Sequence, residues 1–466
     1  MLDIKTINNL KDIGASLGKH LTEEQMEFAA DLTKPVEGWS DPGTGKSFTV
    51  ICGILNAQLY LNVPGRAINA MSYTNEATAE LKARYDAACK RLGITPTARF
   101  NTFHSVCRQI LKEAYPGMQI KGYIDYNLDL PNFAKSMADL GLPVNDMYLV
   151  RKILNTINAL NNCMCYDEEH IRNSYEYKQI SSSVTIEQLQ SLRMSWFMLG
   201  LGTRTILQGD IPIYALFSLL SKKEIADKWK NMFRIMIIDE FQDMTLLHMW
   251  ILQLICDNLV VVGDIKQQIY LFNGACTDIV EKYREMFPNA KKAQLTQSFR
   301  CKNEIADFAT KLIVRNYNNV ESFKGVGDGG QIHFIKTSDL DIASIVNNLK
   351  AGQDKGIYHM RNVMFLFRNN FSATPIAEAM YKAGLLCRVN KFQTVMQIPI
   401  YKDLCKIVDL ACEPDNEEYL KYIVDIFPEF RNYRPERCPL INAIKKSGQN
   451  LYTTPYQFRD PASMRL

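Results

Sequence analysis

A parallel, doubly wound α/β fold is predicted by three features of this sequence. A phosphate-loop pattern, SDPGTGKS at residues 40–47, opens a helix. Apolar runs such as RIMIID and NLVVVGD end in carboxylates, and such strands alternate with helices on both sides of a long helical stretch. The expected architecture is two P-loop sheets, the first interrupted by a helical insertion.

The phosphate loop organises the rest. Gly43 and Gly45 let successive backbone N–H groups turn inward around a phosphate, Pro42 and Thr44 complete the turn, Lys46 supplies a point charge and Ser47 offers a hydroxyl to Mg²⁺. The run FTVICGILNAQLY continues as a helix whose positive end faces the phosphates. Ser40 stands at the first position, where Gly is usual, and is small enough for the turn.

Upstream, LTEEQ reads as a capping box of Thr22 with Gln25, and a Gln at this place can also pair with an adenine edge as donor and acceptor. Downstream, AINAMSY and ARFNT read as strands, each followed by a helix, and complete the first part of the sheet over 1–117. Residues 118–229 lose the strand pattern and read as a helical insertion, with a second capping box at Thr185 and Gln188. The sheet resumes over 230–297. A second alternating series, with strands at 331–337 and 362–368 and at CRVNK, marks a second sheet domain over 298–427, and 428–466 forms a tail or the start of a further insertion.

Composition narrows the function little. Hydrophobic residues at 47% and charged residues at 22% are those of an ordinary globular protein. The net charge of +4 permits a nucleic-acid partner without demonstrating one. Twelve cysteines with no secretory leader before them are expected to be thiols of a cytoplasmic protein. Cys163, Cys165 and His170 lack a second ligand pair at zinc-site spacing. No run approaches the roughly 20 apolar residues of a membrane span, so no membrane partner is expected.

The strand over 235–238 delivers Asp239, Glu240, Gln242 and Asp243 to the carboxyl edge of the sheet, where ligands of open α/β sheets bind. Asp239 can hold Mg²⁺ opposite Ser47, and Glu240 can polarise an attacking water. After the next strand, Gln267 is placed to sense a γ-phosphate, and Tyr270 and Phe272 offer flat faces either to the core or to unstacked bases. Arg300 serves either as a charge-stabilising arginine or as a surface ion-pair partner.

In their order, LTEEQ, SDPGTGKS, SYTNEATAELKAR, TFHSVCRQIL, IIDEFQD, VVGDIKQQIYLFNGA and LTQSFR resemble the motifs of superfamily 1 DNA helicases of the UvrD, Rep and PcrA type, over about residues 15–427. The resemblance implies two RecA-like motor domains that step along single-stranded DNA, generally 3′ to 5′, or act at a junction of single and double strands, as ATP is hydrolysed with Mg²⁺. It implies that Gln25 and Phe299 hold the adenine, Lys46 and Ser47 the phosphates and metal, Asp239 the Mg²⁺, with Glu240 as general base, Gln267 as γ-phosphate sensor and Arg300 as arginine finger. It also implies that Tyr73, Thr74, Asn75, His104, Tyr270 and Phe272 line the single-strand path.

Four positions depart from the family: Glu76 stands where Lys is usual, Phe48 where Arg is common, Phe272 for a Trp and Asn273 for an Arg that touches DNA. The late segments resembling T-x-H-x-S-K-G-L-E and V-A-x-T-R-A find no match, so the second motor domain is expected to be incomplete. The rival expectation is a nucleotide-binding regulatory subunit that docks on a nuclease or another subunit of a repair or defence complex and does not unwind.

Overall fold

The computed structural model describes residues 3–121, 130–144, 146–268, 278–315, 324–334, 341–368, 370–385 and 387. These divide into two compact units, Met1–Ile332 and His333–Leu466. The sheet described below lies wholly in the first of these units.

The first unit begins with α1 (Ile4–Ser16), α2 (Glu23–Ala29), β1 (Val36–Ser40), α3 (Lys46–Leu59), β2 (Ile68–Ser72), α4 (Asn75–Leu92), β3 (Arg99–Thr102), α5 (Phe103–Ala114) and the short β4 (Gln119–Lys121). The insertion follows as α6 (Leu130–Asp139), α7 (Met147–Asn162), α8 (Glu168–Asn173), α9 (Tyr175–Lys178), α10 (Ile186–Thr203), β5 (Thr205–Leu207), α11 (Ile211–Ser221) and α12 (Lys223–Met232). The sheet then resumes with β6 (Ile235–Asp239), α13 (Leu246–Ile255), β7 (Leu259–Gly263), α14 (Ile279–Met286), β8 (Lys291–Leu295) and α15 (Asn303–Ile313).

Six strands form one sheet in the order β3-β2-β6-β7-β1-β8, and every recorded pairing is parallel. The predicted α/β class is therefore the observed one. Central strands of a parallel sheet are covered on both faces, which is why β6 (IMIID) and β7 (LVVVG) are unbroken buried runs. Their side chains alternate between two cores. Met236, Ile238, Leu259 and Val261 join the cluster built with α5, α11 and α13, whereas Ile235, Ile237, Val260 and Val262 join the one built with α1 to α4.

The insertion leaves the sheet after α5 and returns as β6 beside β2, so it is a domain spliced into a crossover. It has a core of its own, with Phe133, Ile153, Ile157, Leu189 and Trp196 at its centre. Both predicted capping boxes form, at Thr22 with Gln25 and at Thr185 with Gln188. A third, with His248 as the reciprocating side chain for Thr245, starts α13.

Three features differ from the sequence expectation. β4 and β5 pair as a small parallel sheet in a stretch read as purely helical; three-residue strands carry too few side chains for a period to show. β8 is an added edge strand, with Lys291 and Lys292 exposed and Ala293 and Leu295 buried, and its charges hid it. In the second unit the expected helices form as α16 (Ile342–Asp354) and α17 (Thr374–Lys382), packed through Val346, Met380 and Leu385. The expected strands do not pair among the described residues of 331–334 and 362–368, and residues 335–337 and 388–391 lie outside them. Met364 and Leu366 there are 80% and 85% exposed. An apolar run becomes a strand only when a neighbour satisfies its backbone groups.

β1 is tied to α14 by charge as well as by packing. Glu37 is 1% exposed, and it accepts from Trp39 Nε1 at 2.7 Å and from Arg284 Nε at 2.9 Å. Arg284→Met strands a buried carboxylate and is expected to lower unfolding free energy in urea by about 3 kcal/mol, while adding Glu37→Gln recovers most of the loss. Equal losses in the single and double variants would assign the effect to the packed stem of Arg284 instead.

Candidate nucleotide and single-strand sites

The phosphate loop takes the backbone form that its glycines permit. Gly43 and Gly45 have φ of 79° and 83°, and Gly45 caps α3 in the left-handed region. Neither position has room for a side chain. A Cβ at Gly43 would lie 2.6 Å from Arg300 Cβ and 2.7 Å from Ser298 Oγ, and one at Gly45 would lie 2.9 Å from Gln25 Nε2. The loop is therefore clasped from outside. Gln25 Nε2 donates to Thr44 O at 2.9 Å, Ser298 Oγ to Pro42 O at 2.8 Å, and Phe299 N to Gly43 O at 2.8 Å. Ser40 replaces the usual Gly at no steric cost and donates to Gly263 O at 3.2 Å, joining the ends of β1 and β7.

Gln25 forms the predicted capping box and clasps the phosphate loop in one rotamer. Its Oε1 accepts from Thr22 N at 3.1 Å in the capping box while its Nε2 holds the loop. Phe299 presents a ring that is 52% exposed beside Gly45, and Arg300 is exposed next to it. Ser47 lies half-buried in the first turn of α3.

The carboxylate edge meets the loop through one ion pair. Lys46 Nζ lies 2.9 Å from Glu240 Oε2 and 3.0 Å from Oε1. Glu240 sits in the left-handed region at φ 57° and ψ 48°, a conformation costing a non-glycine residue about 1 kcal/mol or more. This turn aims its carboxylate back at α3, and its N–H donates to Asp239 Oδ1 at 3.1 Å. Glu240 Oε2 also accepts from Gln242 Nε2 at 2.8 Å, and Gln242 Oε1 accepts from Asp264 N at 2.9 Å. Asp264 Oδ2 in turn accepts from Gln267 Nε2 at 2.8 Å. Lys46, Glu240, Gln242, Asp264 and Gln267 thus form one circuit across the ends of β6 and β7. A Cβ at Gly263 would overlap Gln242 Oε1, so the circuit needs glycine there.

The sequence reading placed Gln242 at this edge and Asp264 at a strand end without roles, and it missed Ser298. It also missed the ion pair of Lys266 with Asp41, which joins the phosphate loop to the segment carrying Gln267. Ser298 with Pro42 and Lys266 with Asp41 are pairings across more than 200 residues, which leave no local pattern. Phe48, which stands where the family has Arg, packs against the core beneath Lys19, with Nζ 5.1 Å from the ring centre.

Carboxylates outnumber cations at this edge. Burial and the charge of Glu240 push Asp239 up to about 6 and Asp243 up to about 7. Burial also raises Asp264 and Asp41, the latter against the pull of Lys266. Asp243 Oδ1 is buried with no hydrogen-bond partner among the described residues. Hard oxygen donors short of positive charge, beside a cradle of backbone N–H groups, suit a divalent cation with a phosphate.

The expected single-strand residues lie on the neighbouring strand ends. Thr74 is the N-cap of α4, its hydroxyl accepting from Ala77 N at 3.1 Å, and Asn75 is exposed in the first helical turn. Tyr73 and His104 are half-buried and share a cavity with His248. Burial and Arg108 lower the His104 pKa, and burial holds His248 well below its ordinary value, so both rings are neutral near pH 7. Tyr270, Phe272 and Asn273 lie outside the described residues.

Asp243 gives a test of this electrostatic picture. A carboxyl whose folded pKa is raised contributes most below its unfolded value near 4, and the contribution is lost as pH rises through about 7. Asp243→Asn is therefore expected to stabilise the protein at pH 8 by about 1–3 kcal/mol and to change little at pH 4. Chemical denaturation of both proteins at the two pH values measures it; a gain of equal size at both would remove the charge argument.

The UvrD/REP helicase N-terminal domain family matches residues 21–288. The chain is 26% identical to a probable DNA helicase II homolog of Mycoplasma capricolum over 380 residues, 78% of this chain and 50% of that protein. It is 24% identical to the ATP-dependent DNA helicase PcrA of Leuconostoc citreum over 428 residues, covering 88% and 55%. With the ATP-dependent DNA helicase Rep of Escherichia coli K12 the identity is 21% over 415 residues, covering 87% and 60%. The chain spans about half to three-fifths of the length of these relatives. With the matched region covering more than half of the sequence, and containing the phosphate loop and the carboxylate edge, the chain belongs to the UvrD/REP helicase N-terminal domain family.

Proposed function

We propose that this chain is an ATP-dependent DNA helicase or translocase that moves along single-stranded DNA, 3′ to 5′, by hydrolysing Mg-ATP. The observation that carries this reading is the circuit from Lys46 through Glu240, Gln242 and Asp264 to Gln267. It links the phosphate-loop lysine to the residues that this reading takes as general base and sensor, Glu240 and Gln267, in one hydrogen-bonded unit. The relatives' names, which specify ATP-dependent DNA helicases, support the substrate classes.

On this reading the N–H groups around Gly43, Thr44 and Gly45 hold phosphate oxygens with Lys46, and Ser47 and Asp239 hold the magnesium ion. Bound Mg²⁺ neutralises charge on the phosphate oxygens. Gln25 and Phe299 take the adenine, and Arg300 balances charge as the terminal phosphate departs. Lys46 and Glu240 neutralise each other when no phosphate is held. As Lys46 turns to a phosphate, the carboxylate of Glu240 is released to accept a proton from the attacking water. Gln242 feels the same change at its amide and passes it through Asp264 to Gln267. Tyr73, Thr74, Asn75 and His104, with Tyr270 and Phe272, line the strand, so the sensor segment leads from hydrolysis to DNA.

ATP hydrolysis with and without single-stranded DNA tests the proposal. The chain is expected to hydrolyse ATP faster with DNA, Lys46→Ala to lose turnover, and Glu240→Gln to bind ATP while losing about 10²- to 10⁴-fold in rate. ATP binding with no turnover in any condition would favour the regulatory-subunit reading, in which the chain serves a nuclease or another protein partner. No ATP binding at all would reject both.

A further inference from the structure

Two helices that belong to different cores of the first unit line a cavity of about 400 Å³. One is α10, whose Trp196 joins the insertion core; the other is α11, whose Tyr214 and Leu216 join the core shared with α5 and α13. Met194 and Phe197 on α10, with Ile213, Phe217 and Leu220 on α11, supply the apolar lining. Their spacings, i with i+3 on the first helix and i, i+4, i+7 on the second, put each set on one helical face. Phe197 joins the two helices: its ring stacks on Tyr214 with centres 4.6 Å apart, and its carbonyl accepts from the Tyr214 hydroxyl at 2.7 Å. Met194 and Leu220 are each 63% exposed and mark the mouth.

One lining residue does not match that apolar surface. Arg193 of α10 is 8% exposed. Its Nε donates to Asn161 Oδ1 and its Nη1 to Cys165 O, both at 2.7 Å, and its guanidinium carbon lies 4.0 Å from the centre of the Tyr166 ring. These contacts fix the plane of the guanidinium. Nη2 is buried with no hydrogen-bond partner, and no carboxylate pairs with Arg193, among the described residues. Asp210, the acid in the lining, is engaged elsewhere. Its Oδ2 accepts from Trp196 Nε1 at 3.0 Å, and burial pushes its pKa up to about 6. A guanidinium taken out of water without a counter-ion is strongly disfavoured, so the group this site lacks is an anion.

We infer that this cavity is a binding site for a small apolar organic anion, a carboxylate carried on an aromatic or branched aliphatic body. The carboxylate would take the open place at Arg193 through a charge-assisted hydrogen bond, and the body would fill the space between the apolar faces of α10 and α11. The volume is that of a small-molecule pocket, and an apolar lining with a few placed polar groups is the usual composition of one. A nucleotide does not suit it, because one cation with one open nitrogen would face several negative charges. The site shares no residue with the phosphate loop, the carboxylate edge or the strand path, and it goes beyond the helicase reading. Since α11 packs on α5 and α13, an occupant would brace the insertion against the sheet domain.

Isothermal titration calorimetry on the full chain tests this with naphthoic acid and its amide, which share a body and differ in charge. The acid is expected to bind about tenfold or more tighter than the amide at neutral pH. Arg193→Met, which keeps the packed stem, should bring the two to equal affinity. Met194→Glu, at the exposed mouth, leaves the core alone and should weaken the acid severalfold more than the amide, so the outcome does not hang on the fold of the Arg193 variant. Lys46→Ala should change neither affinity. No binding of the acid, equal affinities of acid and amide in the parent, a preference that survives in both cavity variants, or one that is lost with Lys46→Ala would each overturn the site. None of these outcomes involves ATP or DNA, so failure here leaves the helicase reading untouched.

Discussion

The ion pair of Lys46 with Glu240 is the contact on which the rest of the site depends. Lys46 is the first residue of α3 and Glu240 the first residue past β6, so their contact at 2.9 Å holds the phosphate-loop helix to the carboxylate edge of the sheet. Without a phosphate, each group supplies the countercharge the other lacks. Glu240 reaches Lys46 only because its backbone adopts a left-handed conformation that a side chain tolerates poorly. Strain of this kind persists where the surroundings enforce it, and here the enforcement comes from Asp239 below and Gln242 beside it.

The surroundings of that pair are built in layers. Gln25 and Ser298 both hold the phosphate loop, one from α2 and the other from the chain beyond β8. The segment after β8 closes the loop's open side with the Phe299 backbone, which brings an exposed aromatic ring and an exposed guanidinium to the same rim. Lys266 with Asp41 repeats the design, a second ion pair between the phosphate loop and the next strand end. Both pairs join the loop to a segment that carries a chemical group, Glu240 in one case and Gln267 in the other. A change of charge at the phosphate loop therefore has two short routes across the sheet edge.

The excess of carboxylate beside these pairs accounts for the elevated Asp239 and Asp243. Burial disfavours their charge, and Glu240 adds to the penalty. The insertion solves a different problem. It buries its own core, and it also presents α10 to the neighbouring core, enclosing a lined cavity with α11. A spliced domain with no core of its own could not hold a helix face in register there.

Local chemistry determined much of this protein from sequence alone. Glycines that must take positive φ, a Lys and Ser that follow them, and unbroken apolar strands ending in Asp239 and Glu240 are short-range patterns, each with one physical meaning; they announced the sheet and the phosphate loop. Capping boxes at Thr22 and Thr185 were legible for the same reason. Tertiary structure alone decided what meets across long separations. It paired Lys46 with Glu240 and Lys266 with Asp41, placed Ser298 under Pro42, and enclosed Arg193 with the apolar faces of α10 and α11. It also made β8 an edge strand and left the apolar run at 363–367 unpaired among the described residues. Periodicity reports which face of an element is buried, but the partner on that face is chosen by the fold.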